Sequence, residues 1–119
     1  MLVKMAIAKE NFIDFVPSLS TFGHLYELLN QEKFKHLRVM KDYNNPNFWH
    51  SRMERYTIDP LHPESINVIK SLINQYTPNF ESEYFNICCD ETFDLCKGRN
   101  AGKDVGEAYF GFVQQILER

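Results

Sequence analysis

The sequence predicts an α/β fold in which parallel strands are joined by helical crossovers. Two short runs rich in Phe, Ile, Val, Tyr and Cys, residues 12–19 and 84–89, have the length and composition of buried strands. Helical periodicity lies between and after them, in the order strand, helix, loop, helix, strand, helix. Strands that alternate with helices form parallel sheets with right-handed crossovers. Because two strands alone do not make a stable sheet, this order is typical of a piece of a larger α/β domain.

The N-terminal helix, the end of the first strand and the long loop are predicted from local composition. Residues 2–9 are predicted as a short helix without an N-cap. The first strand ends near Pro17, since proline cannot donate to the interior of a ladder. Residues 39–56 are polar and aromatic and are predicted as a long loop, followed by a short extended piece over 57–59.

Three further helices are predicted from apolar side chains at helical spacing. They cover residues 24–37, the segment that begins at Pro63 and ends before Pro78, and residues 105–117. Proline suits the first helical turn, where its missing N–H costs nothing. The apolar positions are Leu25, Leu28 and Leu29 in the first helix; Ile66, Ile69, Leu72, Ile73 and Tyr76 in the second; and Val105, Ala108, Tyr109, Phe112, Val113, Ile116 and Leu117 in the third.

The composition is that of a single small globular domain. With 44% hydrophobic and 24% charged residues in 119, the chain is neither a disordered tail nor a coiled coil. A net charge of -3 argues against nucleic acid as a partner. No apolar run approaches the ~20 residues of a membrane span, so no membrane partner is expected. Three cysteines make a poor disulfide framework, and a reducing, cytoplasmic location is expected.

The sharpest chemical feature is a pair of adjacent acids, Asp90 and Glu91, directly after the second strand. Reactive groups of parallel α/β folds lie at the carboxyl ends of strands, and two neighbouring acids are costly there unless they are solvated, paired or used. Gly23 and His24 follow the first strand and offer a titratable donor at the same edge. The alternatives are a solvated turn capped by Asp90 and a helix-start histidine bonded to the backbone.

Other motifs point less clearly to chemistry. Residues 98–103 faintly resemble a phosphate loop, but the glycine spacing is too short and Asp104 replaces the magnesium-binding Ser or Thr. A small doubly wound domain that binds a phosphate-containing ligand is therefore the least favoured of the alternative functions. The cysteines and histidines lack zinc-site spacing, so no metal or other cofactor is expected. The aromatics Tyr43, Phe48 and Trp49 could form a sugar platform or cover a core edge.

Three stretches of the sequence are similar, in the same order, to segments of one enzyme family: VPSLSTFGH at 16–24, IDPLHPES at 58–65 and YFNICCDE at 84–91. Together they resemble glycoside hydrolase family 20, the β-N-acetylhexosaminidases, in the third barrel strand, the lead-in to the next helix and the fourth strand. The run DETFDLCKG at 90–98 is most similar to the intracellular, hexosaminidase-D-like branch. The resemblance covers about residues 10–117.

The resemblance implies a (β/α)8 TIM barrel, of which residues 1–119 would be a fragment holding about strands 3 and 4 with their helices. It implies retaining hydrolysis of a terminal N-acetylhexosamine glycoside, in which the substrate's own acetamido oxygen is the nucleophile. Glu91 would act as general acid and then base. Asp90 would orient the acetamido N–H and stabilise positive charge. His24 would tune the proton affinity of Glu91.

The sequence departs from the family pattern at five positions. Asn86 stands where the family often has His, Cys88 and Cys89 replace two glycines, and Ser18 and Ser20 replace acidic residues. Because most positioning groups of the family lie outside these residues, we expect the chain to lack meaningful activity. Uncovered strand edges and helix faces predict self-association. The alternative function is a non-catalytic α/β binding or interaction module.

Overall fold

The computed structural model of the chain describes residues 2–41 and 56–118 and has four α-helices in these ranges. We number them in chain order as α1 (Leu2–Glu10), α2 (Tyr26–Leu29), α3 (Pro63–Tyr76) and α4 (Val105–Leu117). Short 3-10 turns lie at Lys35–Leu37, Thr77–Asn79 and Gly98–Asn100. None of the helices in the described ranges combines the length and apolar character needed to cross a bilayer.

The predicted α/β class, with parallel strands in a partial (β/α)8 barrel, is wrong, because the described residues form helices and loops without a β-strand. The two predicted strands, 12–19 and 84–89, share one isolated parallel bridge between Ser18 and Asn86. In it, the Asn86 N–H donates to the Pro17 carbonyl at 2.9 Å, and the Asn86 carbonyl accepts from Leu19 at 3.0 Å.

The backbone explains why this pairing does not extend into a sheet. Pro17 has no N–H to donate to a ladder. Phe12 and Cys88 have positive φ angles of 57° and 42°, which take the backbone out of the extended region at both segments. With no third strand beside them in the described residues, the two segments keep only the single bridge.

The segment predicted as a helix over 24–37 is mostly irregular. Only Tyr26–Leu29 is α-helical, and Lys35–Leu37 forms a 3-10 turn. The apolar periodicity stops after Leu29, where four polar residues follow, so only one helical turn has an apolar face to bury. Ile58, in the predicted extended piece, pairs with Arg38 in an isolated antiparallel bridge.

Helices α3 and α4 match the prediction because both begin at a cap and bury an apolar stripe. The His62 ring accepts the Glu64 N–H before α3, and the Asp104 carboxylate accepts the Glu107 N–H before α4. The core that these helices enclose contains Phe22, Leu25, Leu29, Leu37, Ile58, Ile69, Leu95, Ala108, Phe112 and Ile116. Phe22 is fully buried in this core, and its ring centroid lies 4.8 Å from that of Phe112.

A buried carboxylate fixes the loops around α3. Asp59 is 2% exposed and accepts hydrogen bonds from the Asn100 side chain at 2.7 Å and the Leu61 N–H at 2.9 Å. The Arg99 guanidinium lies 3.3 Å from its other oxygen and also donates to the His36 carbonyl at 2.8 Å. These contacts hold the start of α3 against the Gly98–Asn100 turn. Most of the predicted loop, including Tyr43, Phe48 and Trp49, lies outside the described residues.

Candidate functional site

His24, Asp90 and Glu91 lie together at the surface, and we call them the acid–histidine cluster. Nε2 of His24 is 3.3 Å from Oδ2 of Asp90 and 3.2 Å from Oε2 of Glu91. The three side chains are 42%, 63% and 46% exposed, respectively. One imidazole nitrogen therefore contacts two carboxylates, and a solute can reach all three groups.

Gly23 allows the two parts of the cluster to meet. A Cβ atom at this position would lie 2.3 Å from the carbonyl oxygen of Asp90 and 3.3 Å from that of Glu91. The backbone of the two acids thus runs directly against Gly23, at a distance that only glycine accommodates. This close approach places His24, the next residue, beside both carboxylates.

The backbone at the cluster occupies an unusual conformation. His24 and Glu91 have positive φ angles of 56° and 52°, and nearby Cys88 has one of 42°. These are three of the five non-glycine residues with positive φ in the described ranges. Such conformations cost free energy and concentrate at functional sites, where the surrounding structure holds them.

Two hydroxyl groups anchor the segment that leads to the acids. The Thr21 hydroxyl donates to the Ile87 carbonyl at 2.6 Å and lies 3.4 Å from the Cys89 thiol. The Tyr109 hydroxyl, from α4, donates to the Cys89 carbonyl at 3.0 Å. Burial raises the pKa of both Tyr109 and Cys89, so both groups keep their protons at neutral pH. Cys89 packs against the core and contacts the Thr21 hydroxyl, so it contributes to the packing of this segment.

An aromatic side chain supports the imidazole. Tyr56 is 1% exposed, and its ring centroid lies 5.7 Å from that of His24. Its carbonyl accepts the Leu25 N–H at 2.9 Å, which ties it to the residue after His24. On the other side, the ring of Phe93 meets Tyr56 nearly at right angles, with centroids 6.5 Å apart.

The sequence predicts the three members of the cluster but not the residues that hold them. No sequence signal identifies Thr21, Tyr56 or Tyr109 as a support of the cluster, because their contacts join distant parts of the chain. Tyr109 in particular carries the same signal as its neighbours in the apolar stripe of α4.

Asn86, one of the departures from the family pattern, accepts the Cys88 N–H with its side-chain oxygen at 3.0 Å.

The acid–histidine cluster is exposed, and two grooves lie elsewhere among the described residues. A groove of about 420 Å³ runs beside α1, and one of about 290 Å³ lies between the ends of α3 and α4. Neither is lined by a member of the cluster. Over residues 2–41 and 56–118, no three His, Cys, Asp or Glu side chains are arranged to hold a metal ion.

The arrangement has the components of general acid–base chemistry. A carboxylic acid can give a proton to a substrate oxygen and, once ionised, can take one from water. A second carboxylate within reach of the same imidazole can accept a substrate N–H and stabilise positive charge nearby. The imidazole can share one N–H with either carboxylate, so it couples their orientation.

Comparison with known proteins finds one distant relative, which is a hexosaminidase. The chain is 26% identical over 96 residues to hexosaminidase D from Bos taurus, a match that covers 80% of this chain and 25% of that protein. The chain thus spans a quarter of the length of this curated relative. No protein-family model matches the chain. No solved structure matches it either. The similarity supports a hexosaminidase-like relationship at a coarse level and does not establish membership of glycoside hydrolase family 20.

Proposed function

We propose that the chain is part of a glycoside hydrolase of the hexosaminidase kind, and that the acid–histidine cluster acts on a terminal β-linked N-acetylhexosamine. The observation that carries the proposal is the contact of His24 Nε2 with both Asp90 and Glu91, at 3.3 and 3.2 Å. The similarity to hexosaminidase D supports the choice of substrate class.

In the proposed reaction, the acetamido oxygen of the substrate attacks its own anomeric carbon while the bond to the leaving oxygen breaks. Glu91, protonated at the start, gives its proton to that oxygen. Asp90 accepts the acetamido N–H, aligns the attacking oxygen and stabilises the positive charge of the oxazolinium ion. Water then attacks the anomeric carbon, the bond to the acetamido oxygen breaks, and the Glu91 carboxylate takes the proton from water.

His24 acts as a positioning residue in this proposal. Its imidazole contacts both carboxylates, and the buried ring of Tyr56 limits where it can move. The two acids therefore keep separate tasks at a fixed spacing, one at the leaving oxygen and one at the acetamido group.

The thiazoline analogue of N-acetylglucosamine tests the proposal, because its fused ring has the shape of the cyclised intermediate. We expect calorimetry to detect binding to the 119-residue chain, and Asp90→Asn to weaken it by at least about tenfold, since the variant loses a charge-assisted hydrogen bond. Glu83→Gln, at an exposed position outside the cluster, is the matched control. Absence of binding to the unmodified chain, or equal binding by Asp90→Asn, would contradict the proposal.

Turnover is a separate prediction. We expect the 119-residue chain to bind without robust hydrolysis of a chromogenic N-acetylglucosaminide, because the three side chains of the cluster are 42–63% exposed and much of the rate of an enzyme comes from enclosing and positioning its substrate. Release of the chromophore by the pure chain at a typical enzymatic rate would refute this expectation. The control is Glu91→Gln, which removes the proposed general acid.

A further inference from the structure

We propose that Phe93 is a stacking platform for the pyranose ring of the glycoside, an inference that rests on the proposed function of the acid–histidine cluster. Phe93 is 53% exposed and lies two residues after Glu91. It is a large, exposed apolar side chain that follows the two acids closely along the chain. Ligand sites commonly combine aromatic surface with a few placed polar groups in this way.

The backbone fixes Phe93 relative to Glu91. The Phe93 N–H donates to the Glu91 carbonyl at 2.9 Å, and the Leu95 N–H donates to the Thr92 carbonyl at 3.0 Å. Asp94 and Leu95 are both buried, and Leu95 belongs to the core. The turn is therefore anchored immediately after Phe93, so an incoming sugar would meet a ring whose position is already set.

The contact of Phe93 with Tyr56 leaves at least one face of the Phe93 ring uncovered by that tyrosine. Its plane makes an angle of 77° with that of Tyr56, at a centroid distance of 6.5 Å. In such an edge-to-face contact, whichever ring supplies the edge, at least one face of Phe93 stays uncovered by Tyr56. Tyr56 in turn contacts His24 at 5.7 Å, so a continuous row of rings leads from Phe93 to the cluster.

The chemistry of that face suits a sugar. A pyranose ring presents C–H groups on one side, and the negative face of an aromatic ring attracts them in addition to removing apolar surface from water. If the role of Phe93 were to cover a core edge, most of its side chain would be buried, as that of Leu95 is. Phe93 instead supplies apolar contact where the two acids supply polar contacts.

The test measures binding of the thiazoline analogue of N-acetylglucosamine to Phe93→Ala, Phe93→Leu and Phe93→Tyr. We expect the alanine and leucine variants to bind about three- to tenfold more weakly and the tyrosine variant to bind within about twofold of the unmodified chain. Phe110→Ala is the matched control, because Phe110 is a 72% exposed phenylalanine on α4, in a different segment of the chain from the cluster. Urea unfolding midpoints verify that each variant folds.

The outcomes separate this inference from the function on which it rests. If the unmodified chain binds, Asp90→Asn weakens binding and Phe93→Leu binds equally well, the stacking role is overturned and the proposed function stands. If the unmodified chain does not bind, the proposed function fails and the stacking role fails with it. Should Phe93→Ala not fold, the leucine variant decides, since it keeps apolar bulk without a ring.

Discussion

Gly23 controls how closely His24 and the two acids can approach. We predict that Gly23→Ala destabilises the chain by about 1–3 kcal/mol, because the new methyl group would meet the Asp90 carbonyl oxygen at 2.3 Å and the backbone would have to shift. Urea denaturation measures the change.

Gly111→Ala is the control for this prediction, since a Cβ at Gly111, within α4, would meet no heavy atom within 4 Å beyond its chain neighbours and the nearby backbone of its own helix. Replacing a helical glycine by alanine at such a position raises stability by about 0.5–1 kcal/mol. Equal effects of the two substitutions would mean that the close contact at Gly23 is not a constraint.

Cys89 offers a second test at the scale of single residues. Burial raises the pKa of its thiol, so less thiolate is present than in an exposed cysteine, and thiolate is the reactive form. We predict that iodoacetamide at about pH 8 modifies Cys89 more slowly than a small-molecule thiol. Peptide mass spectrometry follows the modification, and reaction of Cys89 at the rate of the free thiol would contradict the packing role.

Residue type and local position are enough to predict His24, Asp90 and Glu91 as candidate site residues. They could not identify Tyr56 or Thr21, since the value of these two side chains depends on which distant segments fold against them. A hydroxyl that anchors a carbonyl and a ring that supports an imidazole look like any other tyrosine or threonine in the sequence.

Among the elements, helices α3 and α4 could be predicted, whereas the helix over 24–37 and the two strands could not. Helices α3 and α4 have their own caps, hydrogen bonds and apolar stripes, all encoded within one segment. A strand needs a neighbour, and residues 12–19 and 84–89 find only one bridge, interrupted by Pro17 and by backbone with positive φ. The predicted burial of these segments is also wrong, since Phe12 is fully exposed and Ile13 is 61% exposed, and apolar composition does not supply the missing hydrogen-bond partners.

The start of α3 carries a pH-dependent contact. Nε2 of His36 lies 2.6 Å from Oε2 of Glu64, and the hydrogen bond lowers the pKa of Glu64. Because the folded-state pKa is the lower one, ionised Glu64 stabilises the folded chain above the ordinary glutamate value of about 4.3. This stabilisation is lost as the pH falls through the folded-state pKa.

We therefore predict that Glu64→Gln lowers the urea midpoint near neutral pH and has less effect in acid. Glu107→Gln is the matched control, since Glu107 also lies in the first turn of a helix and shares the favourable interaction with the helix dipole. It has no histidine contact among the described residues. A Glu64→Gln effect that is independent of pH, or equal to that of Glu107→Gln, would contradict the role of the histidine contact.

At the scale of the whole molecule, many large apolar side chains remain on the surface. Phe12 is fully exposed, Ile13 is 61% exposed, and Phe110 on α4 is 72% exposed. Exposed apolar surface of this kind favours association. We predict concentration-dependent sedimentation, reduced by Phe12→Ser and by Phe110→Ser. A monomer whose sedimentation does not change with concentration would count against it.

Besides the acid–histidine cluster, the two grooves among the described residues are places where a sugar could bind. The groove beside α1 is lined in part by Met5, Phe15 and the Lys9–Glu81 ion pair, and thus also combines apolar and charged groups. Its chemistry lacks the adjacent pair of acids that the proposed reaction requires. The location of a bound ligand therefore distinguishes catalytic chemistry from a simple interaction surface.

The most direct measurement is an NMR titration of the 119-residue chain with the thiazoline analogue of N-acetylglucosamine, observing the side-chain signals of histidines and carboxylates. The account predicts that the His24 imidazole and the carboxyl carbons of Asp90 and Glu91 shift on binding, while His36 and Glu64 do not. Shifts confined to residues of either groove, with the three cluster residues unchanged, would contradict it.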